Sequence, residues 1–195
     1  IKAGGDAADV AGGAGALGVE IQGIDATGNA VNEVIASAGI SASGLTDILF
    51  FRVHRVFVSG VGTYGAANTA DIVIENGAGG TDLIKIAAGE GSTQFCGYTV
   101  PVGFTAHLLG VLITVDAIKP ADIKIMTREN AMVVTSPMSS KRLRKYFDGV
   151  LGVLPFERVA PWIKLNALTD IWVEARGAGA STEVSVDFEL LLIWD

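Results

Sequence analysis

Apolar and polar residues alternate with a period of two along most of this chain, the pattern of strands with one buried face. In residues 17–24 (LGVEIQGI), Leu17, Val19 and Ile21 point one way and Glu20 and Gln22 the other. The DATGN stretch at 25–29 supplies turn residues, Asp25, Gly28 and Asn29, and residues 30–37 return, so a hairpin is predicted. Residues 48–59 (ILFFRVHRVFVS) form the longest clear strand. Both of its faces are mixed, which predicts a place inside a sheet. Residues 71–75 and 83–87 read as a short pair joined by NGAGG.

Residues 93–100 lead into a turn in which Pro101 pre-sets φ and Gly103 accepts a positive φ. A long apolar strand follows over 104–115, and 121–128 is expected to pair back on it. Residues 131–135 are a short apolar run, and 141–147 fit a strand or a single helical turn equally well. Pro155 confines 149–159 to a sheet edge or a bulge, and another extended piece starts at Ala160-Pro161. Residues 170–176 alternate well. In 182–194, Val184, Val186, Phe188, Leu190 and Leu192 face a core until the pattern turns apolar on both sides.

About a dozen strands, frequent glycine turns and no helix-length period of 3.6 predict an all-β fold. The expected architecture is a single-domain antiparallel β-sandwich, jelly-roll-like, over 17–195. Residues 1–16, almost all Ala, Gly and Asp, have little bulk to bury and read as an extended N-terminal arm, ordered if at all by a neighbour. Half of the 195 residues are hydrophobic, only 18% are charged and 25 are glycine, which excludes disorder. A net charge of −7 argues against direct nucleic-acid binding. No apolar run reaches the length of a membrane helix, so no membrane contact is expected. No secretory leader is legible, and a start at Ile1 leaves open an N-terminal piece that precedes it. The lone Cys96 excludes an internal disulfide and reads as a buried small hydrophobe.

Candidate chemistry is sparse. His54 sits mid-strand between arginines and His107 inside an apolar strand, neither with a second ligand at metal spacing. Gly13–Gly18 matches GxGxxG but precedes a strand, whereas a dinucleotide loop follows one and opens a helix. Asp71, Asp82, Asp116 and Asp122 fall at strand ends without EF-hand spacing. No nucleophile-elbow pattern occurs. The expectation is therefore a non-enzyme with no catalytic residue, cofactor or metal. One charge cluster stands out in an acidic chain: Lys141, Arg142, Arg144 and Lys145, followed by Tyr146 and Phe147. It reads either as a solvated face balancing nearby acids or, with Trp162, as a candidate interface to an acidic neighbouring subunit. Trp172, Trp194, Phe50, Phe57 and Tyr64 are candidate core or interface anchors.

Four segments occur in an order that carries further information: GVEIQGIDATGNAVNEVI, LFFRVHRVFVS, AAGEGSTQFCGYTVPVGFTAHLLGVLITV and DIWVEARGAGASTEVSVDFELLLI. Together they resemble tailed-bacteriophage virion structural proteins of the β-sandwich decoration or cement, fibre or tail-associated type. The likeness covers most of 17–116 and 170–195 and is least over 129–169. It implies a non-enzymatic virion component, assembled in the host cytoplasm, that self-associates as a homo-oligomer, a trimer being the expected closed form. It also implies docking on other virion proteins such as the major capsid protein, with capsid decoration favoured over a tail position. The chain departs from the group after the turn proline, where Val102, Gly103 and Phe104 replace Ala-Gly-Lys; the aromatic suggests a buried or interfacial turn. A rival reading is a carbohydrate-binding or adhesive module, with Tyr64 beside Asn68 and Trp162 beside Asn166 as suggestive pairs.

Overall fold

The computed structural model describes residues 1–65, 67–77, 79–157 and 159–195. Among the described residues there are thirteen strands and no helix, so none is long and apolar enough to cross a membrane. The protein is all-β, built from several antiparallel sheets. Where one domain over 17–195 was expected, the chain divides into two compact units, Ile1–Phe95 and Cys96–Asp195.

In the first unit, β1 (Ala16–Asp25) pairs with β2 (Ala30–Ala36) and β3 (Phe50–Val61), and β4 (Ile72–Glu75) pairs with β5 (Asp82–Ile86). The β1–β2 hairpin turns where the sequence predicted: Asp25 accepts from the N–H groups of Thr27 and Asn29, at 2.8 and 3.0 Å, and closes the DATGN loop. Val19 and Ile21 of β1, Val56 of β3, Ile72 and Ile74 of β4 and Ile86 of β5 share one buried cluster. Beyond β3 lies the 91–93 segment: Val58 N–H donates to Gly91 O and Thr93 N–H to Val56 O. Only part of the predicted 93–100 strand is therefore continuous, and residues 97–99 belong to the other unit.

Residues 1–16 are not an extended arm. They fold onto their own unit through polar bonds that a hydrophobicity pattern does not reveal. The Asp9 carboxylate is buried and accepts from the N–H groups of Ala16 at 2.8 Å, Thr69 at 2.8 Å and Ala70 at 3.0 Å. Gly15 makes this possible, because a Cβ there would collide with Asp9 Oδ1. Lys2 N–H donates to Val73 O, and Val10 bridges to Ala38.

The second unit has two four-stranded sheets. In one, β7 (Phe104–Val115) pairs along its length with β13 (Val184–Trp194). Its opposite edge is shared end to end by β10 (Gly152–Glu157) and β11 (Ile163–Leu165). The other sheet runs β6 (Gly97–Thr99), β12 (Asp170–Gly177), β8 (Ala121–Arg128), β9 (Arg142–Val150). The expected β7–β8 hairpin does not form. The two strands lie in different sheets and meet only through side chains: Ala106, Leu108, Val111, Ile113 and Val115 of β7 share one buried cluster with Ala121, Ile123 and Ile125 of β8 and Ile171 of β12. The Pro101–Gly103 turn is present, with Gly103 at φ 79°, and it links strands of these two sheets. Pro155 sits in β10, which among the described strands pairs with β7 alone, an edge position as predicted. Residues 131–135 are not a strand: 131 and 132 form a turn, and Ala131 is buried and donates its N–H to Leu168 O.

Candidate interface surfaces

The basic segment at 141–147 is strand, not a helical turn: residues 142–150 make up β9, with β8 as the neighbouring strand. Strand alternation splits the cluster between two faces. On the outer face Tyr146 lies opposite Lys124 and Leu143 opposite Met126. On the inner face Phe147 lies opposite Ile123, packs on the core and meets Phe156 edge to face at 5.6 Å. Lys145 reaches over the Phe156 ring, 4.8 Å from its centroid, so its stem and charge both serve local packing.

The remaining cations have acidic partners close by. Lys141 Nζ donates to Glu174 Oε1 at 2.9 Å and lies 5.5 Å from the centroid of Trp172, whose Nε1 donates to the same oxygen at 3.0 Å. These bonds, Lys141 first and Trp172 second, hold the Glu174 carboxyl below its ordinary pKa. Arg142 donates to Glu129 Oε1 at 3.1 Å; Arg144 lies 3.7 Å from the same oxygen and donates to Thr127 Oγ1 at 2.7 Å. Tyr146 donates its hydroxyl proton to Asp148, which raises the phenol's pKa. This geometry describes a strand and its lead-in whose cations are balanced by Glu174 of β12 and by Glu129 just after β8.

Trp162 lies outside this cluster. It precedes β11 in the other sheet and meets His107 of β7 edge on, with ring centroids 6.0 Å apart. The Nδ1 of His107 is buried with no hydrogen-bond partner among the described residues. Among the described residues no group of three or more His, Cys, Asp or Glu side chains converges as a metal site. Asp71 and Asp82 pair with Lys85 and Lys2, and Asp116 and Asp122 accept from the N–H groups of Ile118 and Gly149. Burial, then the charge of Asp187, pushes the Cys96 thiol up to about 12, which keeps it protonated and unreactive.

In the pair suggested by Tyr64 and Asn68, the asparagine is turned inward. The Asn68 side chain is buried, donates to Ala70 O and Ala87 O and accepts from Gly91 N–H, so its amide is fully committed to the loops. Tyr64 and Asn166 are exposed.

The surface that the candidate residues missed is the second half of β13. Leu191 is 40% exposed, Ile193 45% and Trp194 74%. Register places Leu191 beside His107, and Trp194 meets Phe104 edge to face at 4.7 Å. Phe104 is thus half-buried under an exposed tryptophan. The sequence carried the signal, in the loss of alternation after Glu189. No family model, curated protein or solved structure matches the chain.

Proposed function

We propose that this chain is a non-enzymatic structural component of a phage virion that works by self-association and by docking on other virion proteins, with a capsid-decoration role favoured over a tail position. The single observation that carries the docking part is the run of four consecutive exposed apolar residues, Leu191, Leu192, Ile193 and Trp194, that ends a long edge strand. Contiguous apolar side chains left in water mark interaction surfaces. The virion part rests on the ordered likeness of residues 17–116 and 170–195 to phage structural proteins.

In the same reading the second unit is a β-sandwich, two sheets closing on the cluster centred on Ile113 and Ile123. Such a body offers outer faces and strand edges to neighbours, which suits a protein that acts by shape. Its partners are copies of itself, in a closed symmetric oligomer such as a trimer, and the major capsid protein.

Quantitative mass spectrometry of intact particles from the source tests this. Hundreds of copies per particle support shell decoration, and a dozen or fewer move the protein to the tail. Absence from purified particles overturns the reading.

A further inference from the structure

In the second unit, sheet edges are blunted by several devices, and one edge keeps only two carboxylates, Asp187 and Glu189, in its first half. β6 and β11 are three residues long. β9 carries Arg142, Arg144 and Lys145 and a register shift against β8. β10 contains Pro155, which has no N–H to offer. Short strands, bulges, cations and prolines are the recognised defences of an exposed edge. β13 has eleven residues, with no proline, glycine, lysine or arginine among them. Its register shift against β7 puts the extra residue, Leu109, on β7, so β13 itself stays regular. Among the described strands β7 is its one partner, which leaves the backbone donors and acceptors of the other edge unpaired in any sheet.

We propose that this edge pairs antiparallel with the same edge of a second copy, across a two-fold axis at Leu190. The proposal rests on the self-association part of the reading above, names its surface and makes the contact a dimer in place of a trimer, since a two-fold pairing closes on two copies. The register follows from charge and face. A two-fold axis perpendicular to the sheet keeps inward residues opposite inward residues, so the axis passes through a residue position. An axis at Leu190 sets Glu189 opposite Leu191, Asp187 opposite Ile193, Phe188 opposite Leu192 and Val186 opposite Trp194. An axis at Glu189 sets two Glu189 carboxylates opposite each other. An axis at Phe188 sets Asp187 against Glu189, and one at Leu191 sets Asp187 against Asp195. Like charges directly opposite in a sheet are destabilising, so the Leu190 axis is the one of these four that avoids them. It also covers the exposed side chains of Leu191, Ile193 and Trp194 with the first half of the neighbouring strand. The occupant is a second copy because β13 reversed on itself sets the carboxylates of one half beside the uncharged residues of the other, so that no like charges face each other.

The test exploits the Glu189–Leu191 pair. Leu191→Glu and Leu191→Lys remove the same apolar side chain, but in this register the first places a carboxylate opposite Glu189 of the second copy and the second places an ammonium there. The intact chain and both variants are compared by sedimentation equilibrium over a range of concentrations, with circular dichroism confirming the strand content. The expected result is a parent that associates with rising concentration, Leu191→Lys that associates at least as tightly, and Leu191→Glu weakened about ten-fold or more. Ile193→Lys and Ile193→Glu repeat the contrast against Asp187. Equal effects of the two charges, or a parent that stays monomeric throughout, overturn the edge pairing. A higher oligomer indifferent to all four variants also overturns it, while leaving self-association through another surface in place. Particle stoichiometry is unaffected by any of these results, so the two readings fail separately.

Discussion

The two units solve the problem of holding many short strands together in different ways. In the first, the buried polar residues are Asp9, Ser37 and Asn68, and two of these carry multiple bonds to loop backbone. Asp9 ties residues 8–16 to the 69–70 loop, and Asn68 ties 70, 87 and 91 together. In the second, the buried polar residues are threonines, and a continuous Ile, Leu and Val cluster spans both sheets. A unit made of two small sheets and long loops has little apolar surface to bury in those loops, so directional bonds fix them. A unit whose two sheets share one apolar cluster gets its order from non-directional burial, and it can leave one strand edge open.

The sharpest way to break this contrast is a cavity in each unit's anchor. Ile113→Ala in the second unit removes a fully buried side chain from the centre of the cluster. It is expected to cost about 2–5 kcal/mol, read from the denaturant midpoint. Asp9→Ala in the first unit strands the N–H groups of Ala16, Thr69 and Ala70 and should cost about 1–3 kcal/mol, with faster hydrogen exchange concentrated in residues 1–16 and 67–71. If Asp9→Ala leaves exchange in those segments unchanged, the first unit is not held in the way described.

The pH dependence sharpens the same point. Burial alone would raise the Asp9 carboxyl. The N–H groups of Thr69, Ala16 and Ala70, with the Thr69 hydroxyl, outweigh it and hold the folded pKa below the ordinary aspartate value. A depressed folded pKa means that the charged form stabilises the fold above the unfolded value of about 3.9, and that this contribution is lost as pH falls through the folded value. Asp25, Asp71, Asp122 and Glu174 are lowered as well, so the signature is a difference. The stability gap between parent and Asp9→Asn should be full at neutral pH and shrink below about pH 3.9. A gap that is flat across that range contradicts the assignment. The smallest effect is expected on the charged strand. Lys141→Ala breaks an ion pair whose members are both well exposed, and the denaturant midpoint should not move measurably.

Much of the fold was legible because strand and turn signals are local. The DATGN hairpin, the Pro101–Gly103 turn and the edge position of Pro155 each follow from a few neighbouring residues. Pairing between distant strands was not legible in the same way. Phe104–Val115 and Ala121–Arg128 are adjacent in sequence and both alternate, yet β7 takes β13 and β10 as partners, since burying both inner faces in one cluster outweighs a short connection. The folding of residues 1–16 was hidden because Asp9 acts through a carboxylate, which looks like any surface acid in a pattern of hydrophobicity. Of the candidate interface residues, Phe147 turned out to face the core and Lys141, Arg142 and Arg144 to face nearby acids, because alternation on β9 separates residues that a run of letters joins. The apolar letters at 190–194 read as core-facing at Leu190 and Leu192, whereas Leu192 ends as exposed as Leu191 and Ile193 beside it.

Hydrogen exchange on the intact chain, dilute and concentrated, tests most directly whether assembly runs through the open strand of the second unit. The account predicts that concentration adds protection to amides within residues 184–194 and leaves those of the first unit and of β9 unchanged. Added protection at β9, or none at β13 in a sample shown to be associated, would contradict it.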